Sequence, residues 1–204
     1  MKITVIGGSG ATGSAVVAEA ARRGHSVTSV TRSGSPAAGA AADVVADLAD
    51  TAAVVKLVNA SDATVIAVSP DRSGGSARPV VDAFAALIAA CPTGRLVVVG
   101  GAGSLLDAEG RRLVDDPAFP EDYRDEALAF AEVLELFRAA GDAVAWTLVS
   151  PAPAYPVDKS SGAYVSGADS PAGPALSTAD FALALVDEAE RDAHRGARFT
   201  VASA

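Results

Sequence analysis

Cysteine, histidine, aromatic residues and long apolar runs are all scarce in this 204-residue chain, and each scarcity removes a class of function. One cysteine, Cys91, cannot close an intramolecular disulfide, which fits a reducing compartment. Two histidines far apart and that single cysteine do not supply metal-ligand spacing, so no metal is expected. Aromatics are 5% of the chain, and alanine supplies much of the apolar half, so the core must rest on close packing of whole elements. No apolar run approaches the roughly 20 residues of a membrane helix. Met1-Lys2 leads straight into a strand-like run, so no signal peptide is expected and a cytoplasmic location is. Positive charge is short as well: 16 Lys and Arg face 25 Asp and Glu, a net charge of −9. That balance argues against nucleic acid or an anionic membrane as the partner. An anionic ligand would need a local device to hold it.

What the chain does have is alternation. Short β-branched runs at 2–6, 26–31, 43–46, 64–68, 95–100, 145–149 and 198–202 read as strands. Helical patterns fall at 11–23, 50–59, 78–90, 122–140 and 177–191. Continuous apolar strands such as Leu96-Val97-Val98-Val99 suit a parallel sheet covered on both faces. The expected fold is therefore α/β, a doubly wound and mostly parallel sheet in a single domain over residues 1–204. In the helix at 122–140, Ala127, Phe130, Leu134 and Phe137 make one apolar stripe. Ser177 with Asp180 resembles a capping pair, and Gly24 stands where a left-handed helix end is expected. Three stretches read as irregular, 69–77, 101–121 and 150–176. The last two begin at carboxyl ends of strands, and together the three are the expected walls of a substrate pocket.

The chemistry-bearing motif is the turn Gly7-Gly8-Ser9-Gly10-Ala11-Thr12-Gly13. It follows the strand Ile3-Thr4-Val5-Ile6 and opens a helix, the context a Rossmann dinucleotide site demands. Gly7 permits the tight turn, Gly10 lets a pyrophosphate approach the backbone, and Gly13 lets helix and strand pack closely. The pyrophosphate would rest on free N–H groups at the positive helix end. The second strand ends at Thr31-Arg32-Ser33 without the acidic residue that usually holds the ribose hydroxyls of NAD. Arg32 can pair with a 2′-phosphate, with Ser33 adding a hydrogen bond, so NADP(H) is expected over NAD(H). Asp47 and Leu48 are expected beside the adenine, although Asp47 reads equally as a charge at a helix N-terminus. Val68, Ser69 and Pro70, then Gly100, Gly101 and Ala102, then Ser150, Pro151 and Ala152 end successive strands along the cofactor's course.

These residues resemble the atypical short-chain dehydrogenase/reductase superfamily. In the second half, Gly100-Gly101-Ala102-Gly103-Ser104-Leu105, Phe119-Pro120 with Tyr123, Trp146-Thr147 with Ser150-Pro151-Ala152, and the closing runs from Asp180 and Arg198 look like its NAD(P)H-flavin reductase group. Wider kin are the NmrA-like NADP-sensing proteins and the biliverdin reductase B-like enzymes. The resemblance spans essentially the whole chain and implies a Rossmann fold, a nicotinamide cofactor and a flavin-like acceptor as substrate.

The superfamily's tyrosine and its lysine four residues on are where this chain departs. Tyr123 is followed by Ala127 and Tyr164 by Ala168, and Arg124 cannot substitute because adjacent helical residues point about 100° apart. Tyr155 has Lys159 at the right spacing, but within a Pro/Gly/Ser-rich loop that gives the spacing no meaning. Reducing a carbonyl needs a proton donor, whereas a flavin ring spreads the incoming charge and takes its proton from water. The missing lysine thus fits a flavin-like acceptor, and it fits an NADP(H)-binding sensor without catalysis. An epimerase- or dehydratase-type enzyme is a third reading. Ser104 and Tyr123 are the candidate catalytic hydroxyls. Their alternative roles are a backbone cap for Ser104 and, for Tyr123, packing at the head of the Phe130–Leu134 stripe. Cys91 reads as a core residue, His25 and His194 as surface, and Trp146 as packing. Arg72 and Arg78, around Ser73-Gly74-Gly75-Ser76, read as solvated loop charges or contacts for an anionic group. Oligomeric state is not legible.

Overall fold

Apolar strands shielded by helices on both sides account for most of the molecule. The computed structural model describes residues 1–70 and 75–204. In chain order it has β1 (Lys2–Ile6), α1 (Ala11–Arg22), β2 (Ser26–Thr31), β3 (Ala42–Val45), α2 (Thr51–Asn59), β4 (Ala63–Ile66), α3 (Arg78–Ala89), β5 (Leu96–Val99), α4 (Arg124–Ala140), β6 (Trp146–Pro151), β7 (Ala154–Val157), β8 (Tyr164–Gly167), β9 (Ala175–Ser177), α5 (Thr178–Arg191) and β10 (Ala197–Ser203). Eight strands form one sheet in the order β3-β2-β1-β4-β5-β6-β10-β8. Every neighbour in it is parallel except β8, which runs against β10. This is the doubly wound Rossmann arrangement. The chain steps outward from β1 through β2 and β3, then returns to lay β4 on the other side of β1. That reversal opens a crevice at the carboxyl ends of β1 and β4, where such sheets take their ligands.

Two apolar layers sandwich the sheet. On one face Val16, Val17 and Ala20 of α1 meet Phe181, Ala184 and Leu185 of α5 over Ile3, Val5 and Val65. On the other, Val54, Phe84, Leu87, Phe130 and Phe137 from α2, α3 and α4 cover Ile66, Val98 and Leu148. Phe137 joins this layer with its ring centroid 5.9 Å from Phe84 and 5.4 Å from Trp146, which is buried as packing predicts. Local signals hold as expected at the helix ends. Gly24 has φ +82°, the Asp50 side chain accepts from the Ala53 amide, and the Ser177 side chain accepts from the Asp180 amide.

Four expectations need correction. Residues 150–176 are not irregular, because β7, β8 and β9 lie within them. These strands have three or four residues each and pair with each other or with the terminal β10, so no local periodicity betrays them. Cys91 is exposed, since α3 stops at Ala89 and Cys91 has φ +46°, where helical spacing no longer applies. Tyr123 does not pack under the α4 stripe: it ends a 3₁₀ turn before α4 and is 61% exposed. The histidines are not free surface residues. His25 Nε2 lies 2.7 Å from Glu190, while His194 stacks on Phe199 and sets Nδ1 2.7 Å from the buried Glu188. Among the described residues no helix is long and apolar enough to cross a membrane.

Candidate functional site

The glycine turn occupies the crevice between β1 and β4. Gly7 has φ +89°, and a Cβ there would lie 2.2 Å from the Ala67 carbonyl oxygen, so the turn is pressed against the chain leaving β4. At Gly13 a Cβ would lie 2.1 Å from the Gly7 carbonyl oxygen; its absence is what seats α1 on the turn. Gly10 differs from both. Its φ of −73° suits any residue, and a Cβ would meet only the Gly7 oxygen, at 3.3 Å. A side chain there would need only a shift of a few tenths of an ångström, far less than at Gly7 or Gly13. The space above Gly10 is open to a ligand.

Gly10 also caps α1 without a side-chain hydrogen bond, and no acidic residue occupies the first turn. The Ser14 amide donates to the Gly10 carbonyl at 2.8 Å, so the amides of Ala11, Thr12 and Gly13 form the free start of the helix. Ser9, Gly10 and Ala11 are exposed, and Thr12 is half-buried. This cradle fits a phosphate-bearing ligand: free N–H groups, the positive helix end and an unobstructed approach coincide.

The neighbouring strand ends carry the other expected cofactor residues. At the end of β2, Thr31 is buried, while Arg32 projects with 83% of its side chain exposed. Among the described residues its ion-pair neighbour is Asp47, 3.9 Å away, too far for a hydrogen bond that would hold the guanidinium. The Ser33 hydroxyl bonds to that of Ser35 at 2.7 Å. Asp47 accepts from the Ala49 amide in a turn ahead of α2, whose N-cap is Asp50, and Leu48 is buried in the α2–α4 layer. Beyond β4, Val68 is half-buried, Ser69 exposed and Pro70 buried. Arg72, Ser73 and Gly74 lie outside the described residues. Arg78 bonds to Asp82 and Glu132.

At the ends of β5 and β6, Gly100 packs so closely on Leu148 that a Cβ would lie 2.3 Å from its Cδ2. The Ser150 hydroxyl is buried on the same side, in register with Thr200, and neither hydroxyl has a partner among the described residues. Pro151 and Ala152 are buried. Gly101 and Ala102 are half-buried, with Gly101 against Phe130 of α4. Ser104 lies further along, in a cavity of about 260 Å³ whose other lining includes Leu134, Arg138, Asp169 and Arg198. No residue of the glycine turn lines that cavity. Arg198 binds the Asp169 carboxylate and holds it below the usual carboxylate range. Tyr123 stands at the N-terminal end of α4, so the structure does not bring it together with Ser104 in that cavity.

One residue set aside on sequence reaches the turn. The Tyr155 hydroxyl on β7 lies 2.6 Å from Thr12 Oγ1 across 143 positions of chain, and its ring meets Phe181 edge-on at 5.2 Å. Lys159 is exposed beyond the strand, so the four-residue spacing has no structural meaning. No motif announces Tyr155, because only the pairing of β7 with β9 brings it over α1. The segment after β7 is fastened by Asp180, which is fully buried at the start of α5. Burial would raise its carboxyl. Donors from Ser160, Ser203 and the Ser161 amide outweigh that effect and hold it far below the usual range.

Comparison with known proteins agrees with this geometry. A family model described as NAD(P)H-binding matches residues 7–192. YwnB of Bacillus subtilis is 36% identical over 215 aligned positions, covering all of this chain and 99% of that protein. A "putative NADH-flavin reductase" of Streptococcus pneumoniae has a solved structure that superposes with a TM-score of 0.85 at 32% identity, over 100% of both chains. A "putative epimerase" of Bacteroides thetaiotaomicron superposes with a TM-score of 0.85 at 29% identity, over 99% of this chain and 96% of that one.

Proposed function

From the premise that the chain belongs to the NAD(P)H-binding family, we propose that it is an oxidoreductase that uses NADP(H) in preference to NAD(H) to reduce a flavin or a similar conjugated acceptor. The observation that carries this reading is the pairing of an open cradle with a missing proton donor. Gly10 leaves the helix start accessible, while Tyr123 stands just before α4 and the residue four positions on, Ala127, is buried and carries no charge. When bound, the dinucleotide supplies the hydride. The amides of Ala11 and Thr12 hold its pyrophosphate, and Arg32, exposed and weakly engaged, takes the 2′-phosphate. The Ser150-Pro151-Ala152 turn and Gly100, Gly101 and Ala102 border the nicotinamide, and the stretches 69–77, 101–121 and 150–176 wall the acceptor pocket. Tyr123, exposed at the ligand end of α4, offers a hydroxyl to the acceptor, while Ser104 supports the wall from beneath α4. Such a site orients two rings with little acid/base chemistry, which suffices for a ring that delocalises the charge and takes its proton from water. A cytoplasmic location suits both cofactor and acceptor.

The missing Tyr/Lys pair also favours a second reading, an NADP(H)-sensing protein without catalysis. Anaerobic mixing of protein, NADPH and excess FMN, followed by absorbance against a protein-free control, separates the two. Saturable reduction above the control is the expected result. No acceleration despite tight NADPH binding would overturn the reductase reading in favour of the sensor.

A further inference from the structure

The side-chain hydroxyls of Thr12 and Tyr155 have no role in the reading above, which uses only the Thr12 amide. Thr12 is the second residue of α1, within the first turn, where a bound phosphate takes the free amides. Its side-chain oxygen therefore lies beside the phosphate position, and the Tyr155 hydroxyl lies 2.6 Å behind it. A hydroxyl has one proton to give and two lone pairs to receive. With the phenol donating to Thr12 Oγ1, the Thr12 proton is left for an anion, and each bond of the chain strengthens the other. Tyr155 is fixed for this task from both sides. Its ring packs edge-on against Phe181, and β7 is tied to β9, with the Ala154 amide on the Pro174 carbonyl at 3.0 Å.

Resting on the dinucleotide reading, we propose that Tyr155 is a positioning residue for the cofactor: it aims the Thr12 hydroxyl as a donor at the pyrophosphate. Through this contact the β7–β9 segment, which walls the acceptor side, senses whether the glycine turn is filled.

The test is a double-mutant cycle on NADPH affinity, measured by fluorescence titration of the intact protein with Tyr155→Phe, Thr12→Val and the double variant. Tyr155→Phe keeps the ring on Phe181, and a melting curve without cofactor checks that each variant is folded. Thr12→Val is expected to weaken NADPH by roughly 10- to 150-fold, the scale of a lost hydrogen bond to a charged group, and Tyr155→Phe by roughly 3- to 10-fold, the scale of a lost neutral one. The double variant is expected to be no weaker than Thr12→Val alone, because Tyr155 acts through Thr12. As a further readout, 2′-AMP, which lacks the pyrophosphate, is expected to bind Tyr155→Phe and wild type equally. Wild-type affinity in Tyr155→Phe, additive losses in the double variant, or an equal loss for 2′-AMP would overturn the proposal while leaving the dinucleotide site standing. Failure of the wild-type protein to bind either nicotinamide dinucleotide would overturn both.

Discussion

Gly10 and Gly13 stand three residues apart in one motif, and the structure predicts opposite consequences for adding the same methyl group to each. At Gly13, within α1, helix propensity favours alanine by about 1 kcal/mol. The added Cβ would, however, lie 2.1 Å from the Gly7 oxygen and 2.7 Å from the Gly7 carbonyl carbon, both backbone atoms that cannot rotate away. Relief requires α1 to shift by about an ångström, while Val16, Val17 and Ala20 are fully buried between the sheet and α5. Overpacking of that kind costs roughly 1–3 kcal/mol or more, so the clash outweighs the propensity. A fall in Tm of several degrees is expected, at about 2–4 °C per kcal/mol for a domain of this size. At Gly10 the backbone is ordinary and the nearest atom is 3.3 Å away. Loss of the glycine N-cap and gain of a stiffer unfolded chain nearly cancel, leaving stability within about 1 kcal/mol. The methyl group instead fills the approach to the helix amides, and NADPH affinity is expected to fall about 10- to 100-fold. Thermal melts without cofactor and fluorescence titrations with it measure both effects. A Gly13→Ala protein as stable as wild type would refute the packing argument. Wild-type affinity in Gly10→Ala would place the pyrophosphate elsewhere.

Further expectations concern charge. Arg32→Ala should weaken NADPH by roughly 1–3 kcal/mol, leave NADH nearly unchanged and barely move Tm, since the side chain is 83% exposed; equal losses for the two cofactors in paired titrations would sink the 2′-phosphate assignment. Glu188→Ala should cost roughly 1–3 kcal/mol in denaturant melts, because the buried Glu188 carboxylate accepts from Arg95, Thr147 and the His194 amide, and its loss leaves buried donors short of an acceptor while Asp192 still faces Arg95 Nε at 2.8 Å. Acid should erode stability through two carboxyls lowered by folding, Glu19, held to about 2 by Arg22 and Arg23, and Asp180. Their contribution is complete above their unfolded pKa values and disappears as pH falls from about 4.5 through 2, so melts that stay flat across that window would contradict it. Alkali acts in the opposite sense at Tyr164, pushed up to about 12 by burial and by its bond to Asp187. Its contribution is complete below pH of about 10 and is lost as pH rises towards 12, a decline that Tyr164→Phe should remove.

Much of this protein is written locally. Alternating β-branched runs and helical patterns point to a mostly parallel sheet, because strands without polar faces must be covered by helices on both sides. The turn from Gly7 to Gly13 is legible because its function depends on adjacent residues sharing one bend. Arg32 is legible because the strand before it ends at a known depth in the sheet. Tertiary structure alone decided the rest. The strands in 150–176 are too short to show a period and find their partners only at the far end of the chain. Cys91 lies two residues past the end of α3, so its spacing pointed inward while its backbone turned out to solvent. Tyr155 had a familiar spacing to a lysine that meant nothing, and a contact with Thr12, 143 residues away, that no spacing could show. A hydrogen bond across such a distance depends on two separately folded elements meeting, and only the packed fold specifies where they meet.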